Sequence, residues 1–231
     1  MSAESNSAEE RGRPELDGTV ESGAVADSQR GEDEALAALQ QAQVTAQQIS
    51  QISKSTAAAK SRKVLLAIVM HPRTPRHISL PLLRRMFTFD LMQISLTPAV
   101  AADVKRVAED QILLRAESLA TGEKISLAKR ASGRVAAALL QEDDSRVIVP
   151  ALDNAQMTEP LVVQALMKPR GPERLFVLVS GHQKWSQRRE VQIALLRSEK
   201  TPLERAREFS RNFLREFVCD IVPDSRKSEL F

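Results

Sequence analysis

The chain has 231 residues, with 33 Lys plus Arg against 30 Asp plus Glu, three His and one Cys. A single cysteine excludes an intramolecular disulfide and a cysteine-cluster zinc site, and no apolar run approaches the roughly 18 residues that span a bilayer. With no basic-then-apolar leader at the start either, the expected location is the cytoplasm.

Residues 1–34 carry ten acidic and three basic side chains and almost no large apolar groups. Such a segment buries too little surface to offset its ordering entropy, so a disordered acidic tail is expected. The rest of the chain holds 30 basic against 20 acidic residues. That surplus favours nucleic acid or an acidic protein as partner, with the tail as an internal competitor; the plainer reading is a solubilising charge block. Residues 35–60, rich in Ala, Gln and Ser without Pro or Gly, read as a semi-independent helical linker. Its apolar stripe, Leu36, Leu39, Ile49 and Ile52, is thin.

Residues 61–231 form the expected helical-repeat domain. Three segments align without gaps: VLLAIVMHPRTP at 64–75, IVPALDNAQMTE at 148–159 and VQIALLRSEKTP at 191–202. Each fits a β-branched residue, Ala three later, Ile or Leu four later and Thr after five more. The apolar positions share one helix face, and the small Ala lets a neighbouring helix approach closely. Thr74, Thr158 and Thr201 are expected to N-cap the following helices, with Pro75 and Pro202 at the first helical position and Glu204 completing a capping box with Thr201. The spacing from Thr74 to Thr158 is about twice that from Thr158 to Thr201. It predicts a unit of about 42 residues with a degenerate copy near Ala116, the size class of HEAT and armadillo repeats.

The runs VLLAIVMH, RVIVPAL and LFVLVSGH also suit buried parallel strands, which would make the domain α/β. Gln192 and Arg197 in the third copy and Pro150 in the second favour helices. The fold class is therefore all-α, a short α-solenoid of HEAT/armadillo-like repeats behind the tail. The phrases GEKISLAKRASGRVAAALLQEDDSRVIVPALDNAQMTEPLVVQAL and HQKWSQRREVQIALLRSEKTPLERAREF, with their order of small residues, Leu-Leu, acidic turn, Thr-Glu, Lys-Trp and Thr-Pro, resemble a group of bacterial HEAT-like helical-repeat proteins of the armadillo or leucine-rich-variant type. That resemblance covers residues 122–221 and implies a solenoid used for interaction. It carries over no catalytic residue.

Chemistry-bearing motifs do not stand out. Ser180-Gly181-His182 lacks the glycine pair of a nucleophile elbow, and Thr121-Gly122-Glu123-Lys124 lacks the upstream glycine of a P-loop. His71, His77 and His182 have no partner at ligand spacing, and Glu142, Asp143 and Asp144 read as an acidic turn opening a helix. No cofactor, metal or catalytic residue is expected. The cluster His182, Lys184, Trp185, Arg188 and Arg189 joins the only Trp to basic residues and is the candidate partner-binding site. The competing reading wedges the Trp ring between repeats. The expected function is a non-catalytic scaffold that binds another protein or a peptide, the alternative a nucleic-acid-binding module. No membrane association is expected.

Overall fold

In a computed structural model, residues 19–41, 43–55 and 60–230 are described, with side chains from residue 29 onward. Among the described residues there are fifteen α-helices, one 3-10 turn and no strand, which settles the runs that also suited strands. In chain order they are α1 (Thr19–Gln40), α2 (Ala46–Lys54), α3 (Arg62–Met70), α4 (Arg76–Leu83), α5 (Thr88–Leu96), α6 (Ala102–Arg115), α7 (Thr121–Arg130) and α8 (Gly133–Leu139). There follow α9 (Ser145–Leu152), α10 (Glu159–Leu166), α11 (Glu173–Gly181), α12 (Arg189–Leu196), α13 (Leu203–Ser210), α14 (Arg215–Ile221) and α15 (Asp224–Leu230).

Most of these helices are two to three turns long, too short to persist alone, so their stability comes from stacking. Alternate helices stack in two layers. Odd-numbered helices pack α1 on α3, α3 on α5, α7 on α9 and α9 on α11; even-numbered ones run unbroken from α4 through α14. The odd pairs α5/α7 and α11/α13 pack less closely. This is the architecture of a helical solenoid, in which each unit touches chiefly its neighbours.

The repeat length differs from the sequence expectation. Odd helices from α3 to α13 begin at Arg62, Thr88, Thr121, Ser145, Glu173 and Leu203. Averaged over the array, the unit is therefore roughly 28 residues long and not about 42. The stretch from Thr74 to Thr158 spans three such units and that from Thr158 to Thr201 one and a half, so the third aligned copy lies on even helix α12 while the first two lie on odd helices α3 and α9. The motif records the end of any helix in the array, whichever layer it belongs to. No copy is centred near Ala116, where α6 ends and the 3-10 turn Ala116–Ser118 follows.

The threonines also act differently. The Thr74 hydroxyl donates to the carbonyl of Ile68 at 2.5 Å and the Thr201 hydroxyl to that of Leu195 at 2.6 Å. They close the helix behind them, taking up a last-turn carbonyl, and do not cap the helix ahead. Pro75 and Pro202 occupy the N-cap positions themselves, and neither they nor Thr158 makes a side-chain cap bond. True N-caps are Thr45, in a capping box with Gln48, Ser61, and Asp144, which accepts from the Arg146 backbone N–H at 2.8 Å.

The core follows the odd-helix register. The seventh residues of α3, α5, α7, α9, α11 and α13, namely Ile68, Ile94, Leu127, Ala151, Val179 and Phe209, are all buried. Units are tied at both edges by side chains that reach back about one repeat to backbone carbonyls. Arg115 donates to Met86 and Arg84, Arg174 to Asp143, Lys200 to Gly171 and Arg226 to Thr201. Arg115 meets the C-terminal end of α4, where its charge is favoured, and the other three meet the carbonyl just before the N-cap of an odd helix.

At the start of the chain, residues 1–18 of the expected acidic tail lie outside the described residues. From Thr19 the backbone is helical as far as Gln40. Ala35, Leu39, Val44 and Ile49 are buried in one cluster with Val64, Ile68 and Ile78, and Arg73 donates to the Val44 carbonyl at 3.1 Å. The thin apolar stripe is enough because α3 supplies the other half of the core; α1 and α2 act as the first, capping unit of the array.

Candidate binding face

The cluster singled out in the sequence sits in the α11–α12 loop. Trp185 is 2% exposed, and its indole N–H donates to the Leu152 carbonyl of the preceding unit at 2.9 Å. His182 Nε2 lies 3.1 Å from Asp153 Oδ1, also in the preceding unit, while its Nδ1 accepts from the Lys184 backbone N–H at 3.1 Å. With Nδ1 accepting that bond, Nε2 is the nitrogen that faces Asp153 as donor. Lys184 Nζ stands 4.1 Å from the centre of the indole ring, above its face. The structure therefore brings His182, Lys184 and Trp185 together as an inter-unit clamp, with no ring face left open for stacking. Arg188, the N-cap of α12, and Arg189, 5.6 Å from the Phe213 ring, lie at the surface beside it.

His71 occupies the tenth position counted from the start of α3, as His182 does counted from the start of α11. Its Nδ1 likewise accepts from the backbone N–H two residues on, that of Arg73, at 3.2 Å. Burial, then the charge of Arg73, holds the His71 pKa below the ordinary histidine value of 6.5. In a unit between, Asn154 does the corresponding job with an amide. It is 3% exposed, donates to the carbonyls of Ala128 and Ala131 at 2.8 and 3.0 Å and accepts from the Gln156 N–H at 2.7 Å.

A second constellation becomes visible only with the helix register in place. The fifth residues of α3, α5, α7, α9 and α11 are Leu66, Met92, Ile125, Val149 and Val177. All five are apolar and none is buried; Val149 is 39% and Val177 51% exposed. They form one apolar row along the outward side of the odd layer. In α13 the row ends at Arg207. Leu66, Met92 and Ile125 are partly buried against the core, and a repeated apolar position at the surface is less ordinary than single exposed apolar residues.

The row is widest at α5. Phe89, Met92 and Leu96, at spacings of three and four, are all partly exposed and line a groove of about 520 Å³ that runs between α5 and Arg130 of α7. A second groove of about 530 Å³ adjoins it between α1, α3 and α5, lined by Glu32, Lys60, Lys63 and Leu66. The two share Arg62, Asp90 and Gln93.

Asp90 is the unexpected member. It takes the third position of α5, where α3, α9 and α11 bury Val64, Val147 and Leu175, and it is only 4% exposed. Arg62 of the preceding unit meets it with two parallel bonds, 2.7 Å from Nε to Oδ2 and 2.6 Å from Nη2 to Oδ1. The Arg62 guanidinium also lies 4.8 Å from the centre of the Phe87 ring, itself 63% exposed. Paired and stacked, Arg62 forms a fixed polar partition between the two grooves.

Among the described residues no group of three His, Cys, Asp or Glu is placed to hold a metal ion, and no helix is long and apolar enough to cross a membrane. Compared with known proteins, the chain matches no family model, no curated protein and no solved structure.

Proposed function

We propose that this chain is a non-catalytic scaffold of the HEAT-like kind that binds another protein through the outward face of its odd-numbered helices. One observation carries the reading: Leu66, Met92, Ile125, Val149 and Val177 repeat an apolar side chain at the same outward position in five stacked helices. The seventh position of the same helices already supplies the core, so the exposed part of each fifth residue adds nothing that folding requires. A row of apolar side chains in contact with water is stabilised by covering it.

Capture from native lysate tests this. The full chain is compared with a variant carrying Leu66→Glu, Met92→Glu, Val149→Glu and Val177→Glu. The expected result is a defined set of proteins retained by the first and lost with the second. Recovery of the same proteins by both chains contradicts the proposal.

A further inference from the structure

The odd layer does not offer the same surface throughout. Between α7 and α11 successive odd helices pack closely, whereas α5 and α7, separated by the long helix α6 and its 3-10 turn, leave a slot. The slot wall on the α5 side carries an apolar stripe, Phe89, Met92 and Leu96, which spans about two turns, roughly 10 Å along the helix axis, with Asp90 and Gln93 beside it. Met92, at its middle, has the flexible thioether side chain that adapts to differently shaped apolar partners.

Two physical arguments identify an occupant. The first is backbone satisfaction. An extended peptide brings unpaired main-chain groups, and these walls are helix faces whose own backbone groups are already bonded within each helix, so only side chains such as Gln93 could meet them. A helix arrives with its own hydrogen bonds made and needs only an apolar stripe. The second is charge. Lys60, Arg62, Lys63 and Arg130 border the two grooves against Glu32 and Asp90. Arg62 is taken by Asp90 and Lys63 by Glu32 at 3.2 Å, which leaves the positive charges of Lys60 and Arg130 at the two ends, with exposed Lys129 beside Arg130.

We infer that the slot between α5 and α7, with its extension onto α3, is the docking site for an acidic amphipathic helix of a partner protein. Its apolar stripe lies on Phe89, Met92 and Leu96 and its carboxylates face Lys60 and Arg130. This rests on the reading of the odd face as the binding face and adds to it the position and the chemistry of the partner.

Selection of a displayed library of random peptides, each long enough for about four helical turns, on the full chain tests it. Affinities of the selected peptides are then measured on the full chain and on single variants checked for folding by circular dichroism. The expected consensus has apolar residues at spacings of three, four and seven with Asp or Glu between them. Met92→Glu is expected to weaken binding at least tenfold and Arg130→Glu about fivefold, with Val177→Glu neutral. Arg130 is exposed, so that variant remains informative if Met92→Glu does not fold. A basic or non-periodic consensus, or binding lost with Val177→Glu and kept with Arg130→Glu, overturns the slot while leaving the odd face standing. Peptides that bind equally well when the whole odd row carries Glu overturn both.

Discussion

At single residues the array depends on contacts between one unit and the next. Asn154→Ala removes three bonds at once, two of them buried and made to carbonyls at the end of α7. At about 1 kcal/mol each it is expected to cost about 2–3 kcal/mol in denaturant unfolding. Asn154→Asp keeps the shape but loses both donors, so it should be no better than Ala. Two glycines should respond with opposite signs. A Cβ on Gly133 would meet the Gln156 carbonyl oxygen at 2.3 Å, whereas one on Gly122 meets nothing within 4 Å. Gly133→Ala is expected to destabilise by about 1–3 kcal/mol despite its better helix propensity, and Gly122→Ala to stabilise by up to about 1 kcal/mol. His71 gives a pH signature. Its pKa is depressed in the folded chain, so the unfolded chain takes up the proton first and stability falls as pH drops below 6.5. His71→Asn, whose amide oxygen can accept the same Arg73 N–H without titrating, should flatten that part of the profile in urea melts run on both sides of that pH.

At the level of elements, the helical class and three helix ends are legible in the sequence while the unit length is not. The aligned Thr motif does end three helices, but α3 and α9 are odd and α12 is even. A pattern shared by both layers returns half-integral spacings, and the interval from Thr158 to Thr201 reads as a whole repeat. The threonines read as N-caps because Thr-Pro before a helix is a strong N-cap signal, whereas a bond back to a carbonyl six residues earlier needs the loop's course in space. The binding row is hidden for a related reason. In sequence an apolar fifth residue cannot be told from core, and only the burial of the seventh residue separates them. Trp185 stands out by composition and is part of the clamp. Asp90 is the sharpest test at this scale. Replacing it by Leu, the residue type that α11 buries at this position, is expected to be neutral or stabilising in urea unfolding. Arg62→Ala strands a buried carboxylate and should lower the urea midpoint, by less than breaking a fully buried pair would because Arg62 is itself largely exposed. Equal destabilisation by both changes would mean that the pair contributes more than either partner's burial costs.

Over the whole molecule, the ends of the array and its outward face meet water in different ways. Terminal units of a solenoid shield what would otherwise be an open core. Deletion of residues 1–45 uncovers Val64, Ile68 and Ile78, which pack in one cluster with residues of α1 and α2, so the shortened chain is expected to melt lower and to self-associate in size-exclusion chromatography. The charge surplus that suggested nucleic acid is partly used inside the array, since Arg73, Arg115, Arg174, Lys200 and Arg226 are bonded to backbone carbonyls. In the apolar row on the odd helices, Leu66, Met92 and Ile125 lean partly on the core, whereas Val149 and Val177 are exposed. Carbene footprinting of the full chain, alone and with a protein captured from lysate, addresses the row most directly. Labelling is expected to fall at Leu66, Met92, Val149 and Val177 and to stay constant at Leu114 and Met167, exposed residues on the even side. Protection at Leu114 and Met167 with the odd row unchanged would contradict the account.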